Sequence, residues 1–154
     1  MATINDVMST SIRLDAVQPA RSLKTLTNYI KANTNAWRSQ EVALKSSGDK
    51  LDALKTRYQG ISEEIKGYNL KIDELKRRQS GLDQTTNQGS EKYAKYANQI
   101  AKAQEKIAGL NDQQSKAEKQ FEYLNSGLSG LQALNSLITC SWKLMPVIQP
   151  SSTS

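Results

Sequence analysis

Two adjacent carboxylate pairs, Glu63-Glu64 and Asp73-Glu74, are the residues whose types could serve acid–base chemistry. Such chemistry needs two groups that converge on one substrate. Both pairs lie in stretches of helical period, where neighbouring side chains point about 100° apart. They therefore read as solvation of a helix surface. The basic run Lys76-Arg77-Arg78 could touch phosphates, but it also suits a solvated helix end, where cations oppose the negative pole of the helix dipole. Tyr93 and Tyr96 could stack on bases, yet both also fit an apolar seam. Histidine is absent, which removes most general-base schemes and most zinc or haem sites. The single Cys140 cannot close an internal disulfide. Gly-rich phosphate loops and nucleophile–base arrangements are also missing. The reading is a protein that is not an enzyme, with no catalytic, cofactor-binding or metal-ligating residue, no cofactor and no small-molecule ligand.

The elements that carry these residues follow from a seven-residue period. Leu23, Ile30, Trp37, Leu44, Leu51, Tyr58, Ile65 and Ile72 fall seven apart and define the a positions. Leu26, Leu54, Ile61, Tyr68, Leu75 and Leu82 lie three further on, at d. Asn33, Gln40 and Ser47 are polar d residues, so the seam is weaker before Leu51. It resumes with Tyr93, Ile100, Ile107, Phe121 and Leu128 at a. At d stand Tyr96, Ala103, Leu110, Ala117, Leu124, Leu131 and Ile138. Gln114 and Asn135 are polar a residues, which tune register and partner number at a cost in stability. An apolar period of 3.5 predicts helices that supercoil on a partner. The fold class expected is all-α, with long heptad-bearing coiled-coil helices.

The expected domain organisation has five parts. Residues 1–17 form an N-terminal strand or arm, because Ile12, Leu14 and Ala16 alternate with polar residues. Residues 18–79 form a first coiled-coil helix, opened by Pro19 in its first turn. Residues 80–90 are a weak segment or turn, since Gly81 and Gly89 each cost a helix about 1 kcal/mol. Ser90 with Glu91 offers a cap for the next helix. Residues 91–138 form a second coiled-coil helix, and 139–154 an irregular apolar, proline-containing tail. Tyr93 keeps the phase of Leu23, which suits one extended rod of roughly 180 Å at ~1.5 Å per residue. The glycines suit a helical hairpin bent at about 79–90. Both arrangements stay open. Lys50, Lys55, Arg57, Lys71 and Lys76 at the e and g positions would oppose like charges in a parallel homodimer. Self-association is expected, with helix number and orientation undetermined.

Composition agrees with a narrow seam rather than a broad core. Apolar residues make up 37% of the 154, too few to enclose a globular interior. The net charge is +6. That excess favours an anionic neighbour, DNA included, although it also describes an ordinary lysine-rich helix surface. Residues 1–15 lack the basic-then-apolar order of a secretory signal, and no stretch approaches the ~20 apolar residues of a membrane span.

The order of several short segments carries a resemblance. Ser11-Ile12-Arg13-Leu14-Asp15 precedes Ser22-Leu23-Lys24-Thr25-Leu26-Thr27. Then come Asn35-Ala36-Trp37-Arg38-Ser39-Gln40, Gly48-Asp49-Lys50-Leu51 and Tyr58-Gln59-Gly60-Ile61, before Lys71-Ile72-Asp73-Glu74-Leu75 enters a long Lys/Gln/Ala-rich coil. Over about residues 9–135 this resembles the start of the tail tape measure protein of long-tailed bacteriophages of Gram-positive hosts. The resemblance implies a structural, helical ruler for tail-tube assembly and length determination. It implies tail tube proteins, tail tip proteins and tail assembly chaperones as partners. It also implies a location in the host cytoplasm during assembly and in the lumen of the virion tail tube. Members of that family are several times longer. The apolar tail from Thr139 is expected to be either a docking peptide or the mark of a copy interrupted by a frameshift or stop, whose heptads would then resume in another frame beyond codon 138. The alternatives are a general coiled-coil interaction protein, such as a secretion or cytoskeletal adaptor, and a basic nucleic-acid-binding coiled coil.

Overall fold

A computed structural model describes the backbone of residues 22–143, with side chains as far as 127 and at 130. It is all-α: helix α1 runs Leu23–Ser46, α2 Lys50–Ser80 and α3 Asn87–Lys143. Among the described residues there is no strand. The expected strand at 1–17, the helix start at 18–21 and the tail beyond 143 lie outside them. The last helix passes the expected boundary at 138 and continues to Lys143.

Each helix starts where a short polar side chain can take an orphan backbone N–H. Ser22 Oγ accepts from Thr25 N at 3.0 Å and opens α1. Asp49 Oδ1 accepts from Asp52 N at 3.1 Å and opens α2. Thr86 Oγ1 accepts from Gly89 N at 3.0 Å and opens α3. The cap is therefore Thr86, four residues before the Ser90 expected from the sequence.

One helix was expected over 18–79, and the structure divides it at Ser47-Gly48-Asp49. Gly48 sits at φ +87°, in the left-handed region. Its N–H donates to Lys45 O at 3.1 Å, and Asp49 N donates to Leu44 O at 2.9 Å. These two bonds close a Schellman motif, and the next residue already caps the following helix. The seam misled because Leu44 and Leu51 keep their phase across the break. Within the seam only Ser47, a polar d residue, marks it; Gly48 and Asp49, a glycine stop followed by an N-cap residue, lie off the seam.

A second turn spans Gly81 to Thr86. Asp83 Oδ1 accepts from Thr85 N at 2.9 Å and from Thr85 Oγ1 at 2.6 Å. Those bonds hold the Asp83 carboxyl below its ordinary range. Gly89 lies against the Asp83 carbonyl, where a side chain would collide. The chain thus folds back twice, and the described helices do not form a single rod.

The pairings show the directions. Tyr29 meets Glu63, and Asn33 meets Gly60, so α1 and α2 are antiparallel. Gln79 meets Tyr93, and Gln114 meets Ser62, so α2 and α3 are antiparallel too. α2 is the central element and packs extensively on both neighbours. Ile72, Leu75, Ile100 and Ala103 form one buried cluster, flanked by Leu23, Tyr68, Tyr96 and Ile107. Trp37, Ile61 and Leu110 form another, with one residue from each helix.

α2 therefore buries two faces. Its a and d residues meet α3. A second stripe, Ala53, Gly60, Gly67 and Glu74, recurs every seven residues and is also buried. Gly60 receives the Trp37 ring and Gly67 receives Ile30, again seven apart on each helix. Antiparallel helices approach closely where a glycine leaves room for a large side chain opposite. Asn33 Nδ2 donates to Gly60 O at 3.1 Å, a bond to helix backbone that this close approach permits.

Candidate interaction groove

The seam residues are distributed as follows. Leu26, Ile30, Trp37, Leu54, Ile61, Ile72, Leu75, Ile100 and Leu110 are buried. Leu23, Leu44, Leu51, Ile65, Tyr68, Tyr93, Tyr96, Ile107, Phe121 and Leu124 are half-buried. Tyr58 is exposed at 38%, and Leu128 and Leu131 fall among the undescribed side chains. Reasoning from the seam missed Tyr29, Glu41, Ala53, Thr56, Gly60, Glu64, Gly67 and Glu74, all buried.

The acidic residues do not converge. Glu63 Oε2 accepts from Tyr29 OH at 3.3 Å, while Glu64 Oε2 accepts from Trp37 Nε1 at 3.3 Å. Asp73 is exposed, but Glu74 is buried at 3% and takes bonds of 2.8 Å from both Arg77 and Arg78. Glu64 thus ties α2 to α1, and buried Glu74 is held by two arginines of its own helix, so neither serves as a solvated surface group, contrary to the sequence reading. The hydrogen bonds from Arg77 and then Arg78 hold the Glu74 carboxyl down to about 2. Glu41, also buried, pairs with Lys45 at 2.7 Å and with Arg57 at 3.5 Å. No group of three or more His, Cys, Asp or Glu that could hold a metal occurs among the described residues.

The cations make a different pattern. Lys24, Lys31, Arg38 and Lys45 lie seven apart on α1 and are all exposed. Lys95, Lys102 and Lys116 repeat the spacing on α3, with Gly109 in the missing place. Since α1 and α3 both pack on α2, they run in the same direction and touch each other lightly. The space between them is a groove of ≈830 Å³. Lys31 and Arg38 line it from α1, Lys71 from α2, and Lys102 and Lys106 from α3. Ile30, Tyr68, Ala103 and Leu110 supply its apolar lining. Two carboxylates, Glu64 and Glu105, also line it. The Arg38 guanidinium lies 5.4 Å from the Trp37 ring centroid, a cation–π distance. Burial pushes the Tyr68 phenol up, and the charge of Glu64 adds to that rise.

Compared with known proteins, the chain matches no family model, no curated protein and no solved structure. Its groove therefore stands on its own chemistry, which suits binding. Five cations and an apolar strip can hold an anionic, partly apolar surface. The signal was present in the sequence as basic residues at seven-residue spacing, one position after the a residues on α1. An analysis confined to apolar residues passes over it.

Proposed function

We propose that this chain is a non-catalytic helical scaffold that works by association, and specifically the tape-measure-like head of a phage tail ruler. The observation that carries the reading is the length of α3. α2 begins at Lys50, which lines a pocket with Lys119 and Leu124 of α3. From there α3 runs on to Lys143, a further ~28 Å at ~1.5 Å per residue. Leu128, Leu131 and Ile138 continue the sequence seam over that stretch. A helix that carries its a and d pattern beyond the reach of α1 and α2 is suited to coil with other copies or with partner helices. The resemblance of its segment order to that of tape measure proteins suits the same reading, and a fixed rise per residue is what a ruler needs.

Two experiments test this. Sedimentation equilibrium of the full chain should give a concentration-dependent oligomer, and Leu128→Ser with Leu131→Ser should abolish it. A strictly monomeric chain at high concentration would remove the coiled-coil part. For the tail role, an epitope-tagged chain produced with its neighbouring genes should co-purify with tail tubes. Tubes that form without it, or flanking genes unrelated to tails, would leave only the general interaction reading. A nucleic-acid reading draws on the basic groove and would show as a steeply salt-dependent affinity for duplex DNA.

A further inference from the structure

We propose that the groove between α1 and α3 docks an acidic amphipathic helix from a different protein. Up-down-up order leaves α1 and α3 parallel, and among the described residues nothing takes the fourth position of a four-helix arrangement between them. An incoming helix there would lie antiparallel to both. The lining segment of α3, from Gln99 to Gln113, is ~21 Å long, which sets a helix of about fourteen residues. Half-buried Tyr68 and the aliphatic stems of the rim lysines would receive its apolar face, over a floor of already buried Ile30, Ala103 and Leu110. Lys31 and Arg38 on one rim, and Lys102 and Lys106 on the other, would receive carboxylates at its two edges. None of these four cations has an ion-pair partner among the described residues. Lys45, Arg57, Lys66, Arg77, Arg78 and Lys116 are each paired with a carboxylate of this chain.

The other occupants fit less well. A second copy brings a net charge of +6 and the same cationic rims. Residues 1–21 hold two acids and two bases, and 144–154 hold no charge, so neither segment offers an acidic face. A phosphate backbone has no apolar face to set against Tyr68 and the lysine stems. Docking of an acidic helix holds whether or not the ruler reading does.

The test is fluorescence anisotropy of the full chain with a labelled fifteen-residue peptide, Leu at a and d and Glu at e and g. Saturable binding is expected. Lys31→Glu with Lys106→Glu should weaken it at least tenfold, while Lys24→Glu with Lys95→Glu, the same charge change outside the groove, should stay within twofold. Both pairs are exposed, and circular dichroism checks that the variants fold. A peptide with Lys in place of Glu should bind the Lys31→Glu/Lys106→Glu chain better than the original. The proposal is overturned by absent saturation or by equal losses in both pairs. It is also overturned if a duplex DNA binds more tightly than the peptide through the same two lysines, or if those lysines govern dimerisation instead.

Discussion

Gly60 and Glu74 show how single residues on α2 decide the packing of its neighbours. A Cβ at Gly60 would overlap the Trp37 side chain, which is itself buried at 5%. Gly60→Ala should therefore cost about 1–3 kcal/mol by overpacking, read as a lower urea midpoint. Gly109 faces open space, so Gly109→Ala should stabilise by about 0.4–1 kcal/mol. The opposite signs of two identical substitutions in helices distinguish packing from propensity. Glu74 predicts a pH dependence. Its folded carboxyl sits at about 2, below an ordinary value of 4.5. The stability it contributes is thus present above about pH 4.5 and lost as pH falls toward 2. The stability gap between the native chain and Glu74→Gln should narrow across that window in urea titrations. A gap that stayed constant with pH would show that the Arg77 and Arg78 bonds do not favour the ionised form.

At the scale of elements, the two turns matter more than helix propensity. Ser47-Gly48-Asp49 ends one helix and starts the next in three residues, through the left-handed glycine and the Asp49 cap. Replacing all three by Ala removes the cap, worth about 1 kcal/mol, and places a Cβ where φ is positive. It also makes one long helix locally favourable. The expected result is a lower melting temperature with unchanged helical content by circular dichroism, because the lost contacts are between helices. The same substitution should increase the radius of gyration, as α1 swings away from α2. Legibility in the sequence was uneven here. The turn at 81–86 showed itself through Gly81, Thr85 and Thr86. The turn at 47–49 was hidden beneath a seam that kept its phase, and a three-residue break shows little in a seven-residue pattern.

For the whole molecule, folding back halves the reach. α3 alone is ~85 Å long, whereas one helix over all described residues would be ~180 Å. Small-angle scattering of the dilute chain should give a maximum dimension nearer ~90 Å than ~180 Å. A value near the latter would mean that α1 and α2 open out in solution. The charge pattern acts at this scale too, since the cationic stripes of α1 and α3 come together only when both pack on α2. Affinity for the acidic peptide should accordingly vanish on unfolding and fall as salt rises, as screening weakens exposed charges.

The heptad residues alone determined that the chain is helical and where most of its buried side chains fall, because burial of one helix stripe demands that spacing. The absence of histidine and the divergence of neighbouring carboxylates argued against acid–base chemistry on the same evidence. Tertiary structure decided the rest. Ala53, Gly60 and Gly67 form a contact face only because α1 comes to lie on it, and small residues carry no hydrophobic signature of their own. Glu41, Glu64 and Glu74 are buried because particular cations, or the Trp37 indole, reach them across or along the helices. A one-dimensional period records which residues share a stripe. It does not record which helix covers that stripe, and here the central helix is covered twice.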